Sequence, residues 1–105
     1  MKKKPPLIAV EYAREIRRRL GTHVNQIVLF GSQARGHASD ASDYDFVVVV
    51  DRLDRSLRDQ VLDASASLMD RRSVLCAALV YDLRQWDKVR QTPLGWNIDR
   101  EGLAL

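Results

Sequence analysis

The chain has few cysteines, little excess charge and no long hydrophobic run, and each shortage excludes a class of protein. The single cysteine, Cys76, rules out an intrachain disulfide and fits a reducing compartment. The 17 Lys and Arg exceed the 14 Asp and Glu by only +3, too little to indicate a nucleic-acid-binding protein by itself. No stretch approaches the roughly 20 apolar residues that a membrane-spanning helix needs. A chain of 105 residues with these properties is expected to be one small, soluble, cytoplasmic domain.

The first six residues, MKKKPP, are expected to form a basic tail. Such a basic start is also found in secretory signals, but Pro5 and Pro6 interrupt the apolar run that a signal needs. Apolar residues then recur at helical spacing over residues 7–20, and Gly21 ends the predicted helix. Its apolar positions are Leu7, Ile8, Val10, Ala13, Ile16 and Leu20. The folded domain is therefore predicted to span residues 7–105.

Three short apolar segments predict β-strands at residues 25–30, 44–50 and 73–81. The segment 44–50 (YDFVVVV) is apolar without alternation, which indicates a central strand covered on both faces. A short helix is predicted after Gly31, with Ser32 as its N-cap and Gly36 at its end. Residues 37–42 are small and polar and predict a loop.

Two further helices are predicted over residues 53–69 and 83–89, and a closing segment over 94–105. The positions expected to face the core are Leu57, Val61, Leu62, Ala64, Ser65 and Leu68 in the first helix, and Ile98, Leu103 and Leu105 in the closing segment. Because helices alternate with strands, the predicted class is α/β (α+β), with a small mixed β-sheet flanked by helices.

One group of residues predicts a chemical function. It consists of Gly31-Ser32 and, after a spacer of ten residues, Asp43-Tyr44-Asp45. A glycine directly after a buried strand allows a sharp turn and a close approach of ligand to backbone. The N–H groups at the start of the following helix suit phosphate oxygens. Asp43 and Asp45 lie two apart, so both carboxylates leave the same face of a strand. Such a pair favours a hard divalent cation, and a phosphate site beside it suits nucleotidyl transfer.

The segment 29–36 (LFGSQARG), followed by 42–48 (SDYDFVV), resembles the signature of the minimal nucleotidyltransferases, a family of the DNA polymerase β-like nucleotidyltransferase superfamily. The Gly-Ser, ten-residue, Asp-x-Asp spacing matches the family pattern without a gap. The order of the predicted elements and the closing segment 93–102 are also similar to the family. Small members act as antitoxins beside HEPN-type toxins.

This resemblance implies a nucleotidyltransferase fold with ATP as nucleotide substrate and Mg²⁺ or Mn²⁺ as cofactor. It implies that Gly31 and Ser32 bind the triphosphate and that the catalytic residues Asp43 and Asp45 bind the metal. Arg35, three residues after the serine, would direct its guanidinium toward the phosphates. The partner it implies is a HEPN-type protein, in a toxin-antitoxin system. A homo-oligomer and a nucleic-acid partner stay open, the latter with weak support from the basic runs.

The sequence departs from the family at one point. Active members usually add a third carboxylate from the next strand, but residues 73–81 (SVLCAALVY) contain no acid. Asp70 and Asp82 flank this strand, and Cys76 is a poor ligand for magnesium. The sequence does not decide whether Leu75 and Ala77 or Cys76 and Ala78 face the aspartate pair.

Two functions follow from these features. The first, which we favour, is an enzyme that transfers an adenylyl group from ATP to an acceptor hydroxyl, on a HEPN-type partner. The alternative is a weak or inactive nucleotidyltransferase-fold antitoxin that acts by binding its partner. Simpler structural roles also exist for single residues: turn formation for the two aspartates, a solvated cation for Arg35, and core or interface packing for Trp86 and Trp96.

Overall fold

The computed structural model describes residues 4–36 and 43–105. The predicted loop over 37–42, with His37, and the first three residues of the tail lie outside the described residues. The elements are α1 (Leu7–Leu20), a 3₁₀ turn (Gly21–His23), β1 (Val24–Phe30), α2 (Ser32–Arg35), β2 (Tyr44–Val50), α3 (Arg55–Arg72), β3 (Cys76–Asp82), α4 (Leu83–Val89), α5 (Pro93–Glu101) and β4 (Leu103–Ala104). No helix of the described ranges is long and apolar enough to cross a membrane.

The strands form one four-stranded mixed sheet in the order β3-β2-β1-β4. β1 pairs antiparallel with β2 and β4, whereas β2 and β3 are parallel. The predicted α/β class with a small mixed sheet is therefore confirmed. β2 lies inside the sheet, and Val47 to Val50 are fully buried, as the continuous apolar run indicated.

Helices pack on both faces of the sheet. On one face α1 and α3 cover the side chains of Phe46 and Val48, and the ring of Tyr12 stacks on Phe46 with 4.0 Å between centroids. On the other face Trp86 of α4 and Ile98 of α5 pack against Val47 and its neighbours. Asp45 is on this second face, because side chains alternate along a strand.

The long helices have the predicted pattern but differ in detail. α1 begins and ends as predicted, and Gly21 follows it with a φ of 58°. Leu7, one of the apolar positions of the predicted helical pattern, is 87% exposed and lies about 160° around the helix from the centre of the buried stripe. That stripe is Ala9, Tyr12, Ala13, Ile16 and Leu20.

α3 runs to Arg72, beyond the predicted end, and begins after Asp54, whose carboxylate accepts a hydrogen bond from the Leu57 N–H. The placement of Leu62 in the core is wrong, since 57% of it is exposed. It lies roughly 120° around the helix from the centre of the buried stripe. The other five predicted core positions of α3 are buried.

The C-terminal part contains β4, an edge strand of the sheet that sequence patterns did not predict. β4 has only two residues and pairs with Val28 and Leu29 of β1. Ile98 and Leu103 are buried, as predicted for the closing segment. β3 begins at Cys76, later than predicted, because Ser73 takes a left-handed conformation with φ 53° after α3.

Candidate active site

The glycine-serine turn lies where β1 ends and α2 begins. Gly31 has φ 77° and ψ −160°, a region that residues other than glycine rarely adopt. Its carbonyl accepts hydrogen bonds from the N–H groups of Ala34 and Arg35. The expectation that Ser32 is the N-cap is therefore wrong: Gly31 occupies the cap position, and Ser32 is the first helical residue. Gly36 ends the helix in a left-handed conformation, as predicted.

The pairing of β1 with β2 brings the two halves of the motif together. Phe30, just before the turn, is in register with Asp45. A Cβ atom built on Gly31 would lie only 2.6 Å from Oδ2 of Asp45. The Asp45 carboxylate thus lies directly against the backbone of the turn, and a side chain at position 31 would displace it.

The two aspartates influence each other electrostatically. Asp43 is exposed and directly precedes β2, while Asp45 is half-buried within it. Burial raises the pKa of the Asp45 carboxyl, and the negative charge of Asp43 raises that pKa further. Two neighbouring carboxylates that repel each other fit a hard divalent cation, which would relieve the repulsion.

Arg35 is held by a residue that sequence reasoning did not single out for the site. Its Nη1 donates to Oε2 of Glu101, at 3.3 Å, with both side chains partly exposed. Glu101 ends α5, and the next residue, Gly102, is packed so closely that a Cβ there would lie 2.5 Å from Val28 Cγ1. The closing segment is therefore fixed against β1 and connected to α2. For Glu101, the one signal available in the sequence was the similarity of the closing segment 93–102 to the family.

The register of β3 shows which of its residues faces the aspartates. Asp45 is opposite Ala77, and in-register residues of neighbouring strands have side chains on the same face. Cys76 and Ala78 instead pack toward α1 and α3. Ala77 therefore occupies the place beside Asp45 on the neighbouring strand, and it contributes only a methyl group.

Neither flanking acid replaces the absent carboxylate. Asp82 is opposite Val50, five residues along β2 from Asp45 or roughly 16 Å. Its carboxylate caps α4 by accepting from the Gln85 N–H. Asp70 lies in α3, the helix packed on the other face of the sheet. Within residues 4–36 and 43–105, no three His, Cys, Asp or Glu side chains come close enough to hold a metal ion together.

The histidine and the two tryptophans of the described residues lie away from the aspartates or serve packing. His23 Nδ1 is 3.0 Å from Asp51 Oδ1, just beyond the opposite end of β2. Trp86 is buried in the core, whereas Trp96 is 59% exposed and carries the guanidinium of Arg100 over its ring. An open cleft of about 540 Å³ lies beside Trp96, and none of its lining residues belongs to the motif.

Comparison with known proteins gives a family and a set of structural relatives. The sequence model of the nucleotidyltransferase domain family matches residues 10–96. No curated protein matches the chain significantly.

Solved structures of toxin-antitoxin complexes share the fold. One, a toxin-antitoxin with AMP-PNP, is 23% identical over 90% of this chain and 69% of its own, with a TM-score of 0.61. A variant of the MntA-HpeT toxin-antitoxin is 21% identical over 91% and 70%, with a TM-score of 0.62. A third structure, an MNT antitoxin in complex with the tri-AMPylated HEPN toxin of Shewanella oneidensis, is 20% identical over 93% of this chain and 68% of its own, with a TM-score of 0.56. At these identities the likeness establishes the nucleotidyltransferase fold.

Proposed function

Because this chain belongs to the nucleotidyltransferase domain family, we propose that it transfers an adenylyl group from ATP to a hydroxyl of a HEPN-type partner protein. The domain that does so comprises residues 7–105, and its site consists of Gly31, Ser32 and Arg35 for the nucleotide and Asp43 and Asp45 for the metal. The structural relatives support the choice of nucleotide and partner. One carries AMP-PNP and another holds a tri-AMPylated HEPN toxin.

One observation carries the proposal: the contact between the glycine-serine turn and Asp45. The two parts are separated by more than ten residues in the sequence, yet Oδ2 of Asp45 lies only 2.6 Å from the place that a Cβ of residue 31 would take. A turn that only needed to reverse the chain would not require this approach. A turn that places phosphate oxygens beside a metal-binding carboxylate does require it.

The aspartate pair suits magnesium or manganese. Asp43 and Asp45 are two residues apart at the start of β2, and the charge of Asp43 raises the pKa of Asp45, so a bound cation would relieve their repulsion. A divalent ion bound there would neutralise charge on the phosphate oxygens during transfer. Magnesium accepts a site with few protein ligands, since it commonly keeps waters and phosphate oxygens in its coordination sphere.

The residues of the chain position the reactants. The Gly31-Ser32 turn leaves the triphosphate access to backbone N–H groups, and Arg35 adds a planar cation on the same short helix. In the transfer, the acceptor oxygen forms a bond to the α-phosphorus. The bond from that phosphorus to the oxygen bridging to the β-phosphate breaks, pyrophosphate leaves, and the hydroxyl proton passes to solvent. Correct placement of these groups supplies much of the acceleration in such reactions. Use of ATP and a single unpaired cysteine favour the cytoplasm as its compartment.

A second function is favoured by a specific observation, the methyl group of Ala77 beside Asp45. Without a third carboxylate, transfer would be slow, and the protein would neutralise its partner mainly by binding. In that case the aspartates would matter little for the complex.

An incubation with ATP separates the two functions. The chain is mixed with a HEPN-type partner protein, Mg²⁺, and ATP labelled at either the α- or the γ-phosphate. Label on the partner from α-labelled ATP alone is expected for adenylyl transfer. A stable complex with no label from either ATP would support the binding function and contradict the proposed enzyme.

A further inference from the structure

The outer edge of β3 is an unpaired strand edge beside the candidate site. β3 ends the sheet order, and the Leu75 carbonyl accepts from the Tyr44 N–H of β2. Since N–H and C=O groups alternate in direction along a strand, those of Cys76, Ala78 and Val80 point away from β2. Within the described part of the chain, no strand pairs with this side of β3.

The side chains of this edge are unusual for a strand exposed to water. Leu75 is 63% exposed and Leu79 is 37% exposed, and Ala77 between them is also exposed. From residue 73 to residue 81 there is no charged residue and no proline. Natural proteins normally protect edge strands with charges, prolines or bulges, because a bare apolar edge pairs with other chains. We call residues 75–81 the β3 edge.

The β3 edge is continuous with the candidate active site. Ala77 is in register with Asp45, on the neighbouring strand and on the same face of the sheet. Strands lie about 4.8 Å apart, so a further strand added to β3 would be about 10 Å from β2. The small side chain of Ala77 leaves open the space between such a strand and Asp45.

We propose that the β3 edge binds an extended segment of the acceptor protein as a fifth strand of the sheet, and that this places its hydroxyl beside the Asp45 carboxylate. The inference rests on the proposed function and names how the acceptor is recognised. An extended peptide can form hydrogen bonds with all of these outward backbone N–H and C=O groups, a binding mode known as strand addition. Nucleic acid fits poorly, because phosphates require Lys or Arg, and this edge has none.

Hydrogen exchange of individual amides tests the proposal on the unmodified protein. The amides of Cys76, Ala78 and Val80 are expected to exchange rapidly in the free chain. In a complex with the HEPN-type partner and an ATP analogue, their exchange should slow at least about ten-fold. A stable complex in which these three amides stay unprotected would overturn the proposal. So would protection without partner that rises with protein concentration, alongside dimers in sedimentation, because the occupant would then be a second copy.

A matched pair of lysine variants provides a second test. Leu79→Lys places a charge on the β3 edge, whereas Leu62→Lys places one at a still more exposed leucine of α3, on the other side of the sheet. Leu79→Lys should weaken partner binding at least about ten-fold while leaving the affinity for Mg-ATP unchanged, and Leu62→Lys should alter neither. Equal partner binding by both variants would contradict the proposal.

The outcomes also distinguish this inference from the proposed function. A protected β3 edge with no transfer of label would retain the docking surface and reject the enzyme. Transfer of label with an unprotected edge would retain the enzyme and reject the docking surface. Absence of any complex with the HEPN-type protein would overturn both. If Leu79→Lys fails to fold, the exchange measurement on the unmodified chain decides alone.

Discussion

Replacing Gly31 by alanine should damage the site far more than the fold. The new Cβ would lie 2.6 Å from Oδ2 of Asp45, well inside ordinary contact distance. Because Oδ2 is the end of a side chain, the carboxylate would move aside by roughly 1 Å rather than the backbone. A displacement of this size at a reacting centre typically lowers activity by about 100-fold. We therefore expect Gly31→Ala to lose most transfer activity.

The stability effect can be separated with a control glycine. Gly31 has φ 77° and Gly21 has φ 58°, so alanine is strained at both, at about 1–3 kcal/mol. A Cβ at Gly21, however, would meet nothing within 4 Å. Each kcal/mol lowers the Tm of a domain of this size by about 4–8 °C. Both variants should therefore lose similar stability, while Gly21→Ala keeps its affinity for Mg-ATP.

The assay is calorimetric titration with Mg-ATP on both folded variants, together with thermal melts. Gly31→Ala should bind weakly at a Tm close to that of Gly21→Ala, and Gly31→Val should show no binding. Unchanged Mg-ATP affinity in folded Gly31→Ala, or an equal loss in Gly21→Ala, would refute the role assigned to the turn.

Three further predictions concern charge. Asp43→Asn should abolish transfer with the fold intact and raise the metal-free Tm. Because the repulsion from Asp43 is removed, it should also lower the pKa of Asp45 toward its usual range, as followed by NMR titration. An unmoved Asp45 pKa would contradict the coupling. Ala77→Asp should speed partner labelling, since residue 77 is opposite Asp45, and no gain from a slow parent would show that this strand is not where a third carboxylate acts. Hydrogen bonds from Arg18 and then Arg19 lower the pKa of Glu15 from 4.5 to about 2. The stability this gives is therefore present above about pH 4.5 and lost as the pH falls toward 2, and acid melts of Glu15→Gln should lack that loss.

Much of the fold could be predicted from local patterns. The α1 and α4 boundaries and the central position of β2 follow from periodicity, a terminal glycine and a run of valines, all of which act within a few residues. The sheet partner β4 could not be predicted, because two residues carry no pattern and their strand exists only through pairing with β1. Leu62 was misplaced because an apolar residue close to a buried stripe is not necessarily part of it, and Leu7 is exposed although it fits the apolar spacing of α1.

The candidate site was predictable in its residue types but not in its contacts. The spacing of Gly31 and Asp45 predicted one site, and the structure places the Asp45 carboxylate close to the backbone of Gly31. Two features needed the tertiary structure. The choice between Ala77 and Cys76 depends on the register of a parallel pair, and the contact of Arg35 with Glu101 joins residues 66 positions apart. Neither register nor such a distant contact is encoded in a short sequence pattern.

The central claim is that Asp45, beside the Gly31 turn, is required to move an adenylyl group from ATP to the partner protein. The most direct measurement is the rate of partner labelling from α-labelled ATP by the unmodified chain, by Asp45→Asn, and by Asp63→Asn, which changes an exposed aspartate of α3. The account predicts labelling by the unmodified chain and by Asp63→Asn, and none by Asp45→Asn, although all three bind the partner. Labelling by Asp45→Asn at the unmodified rate would contradict it.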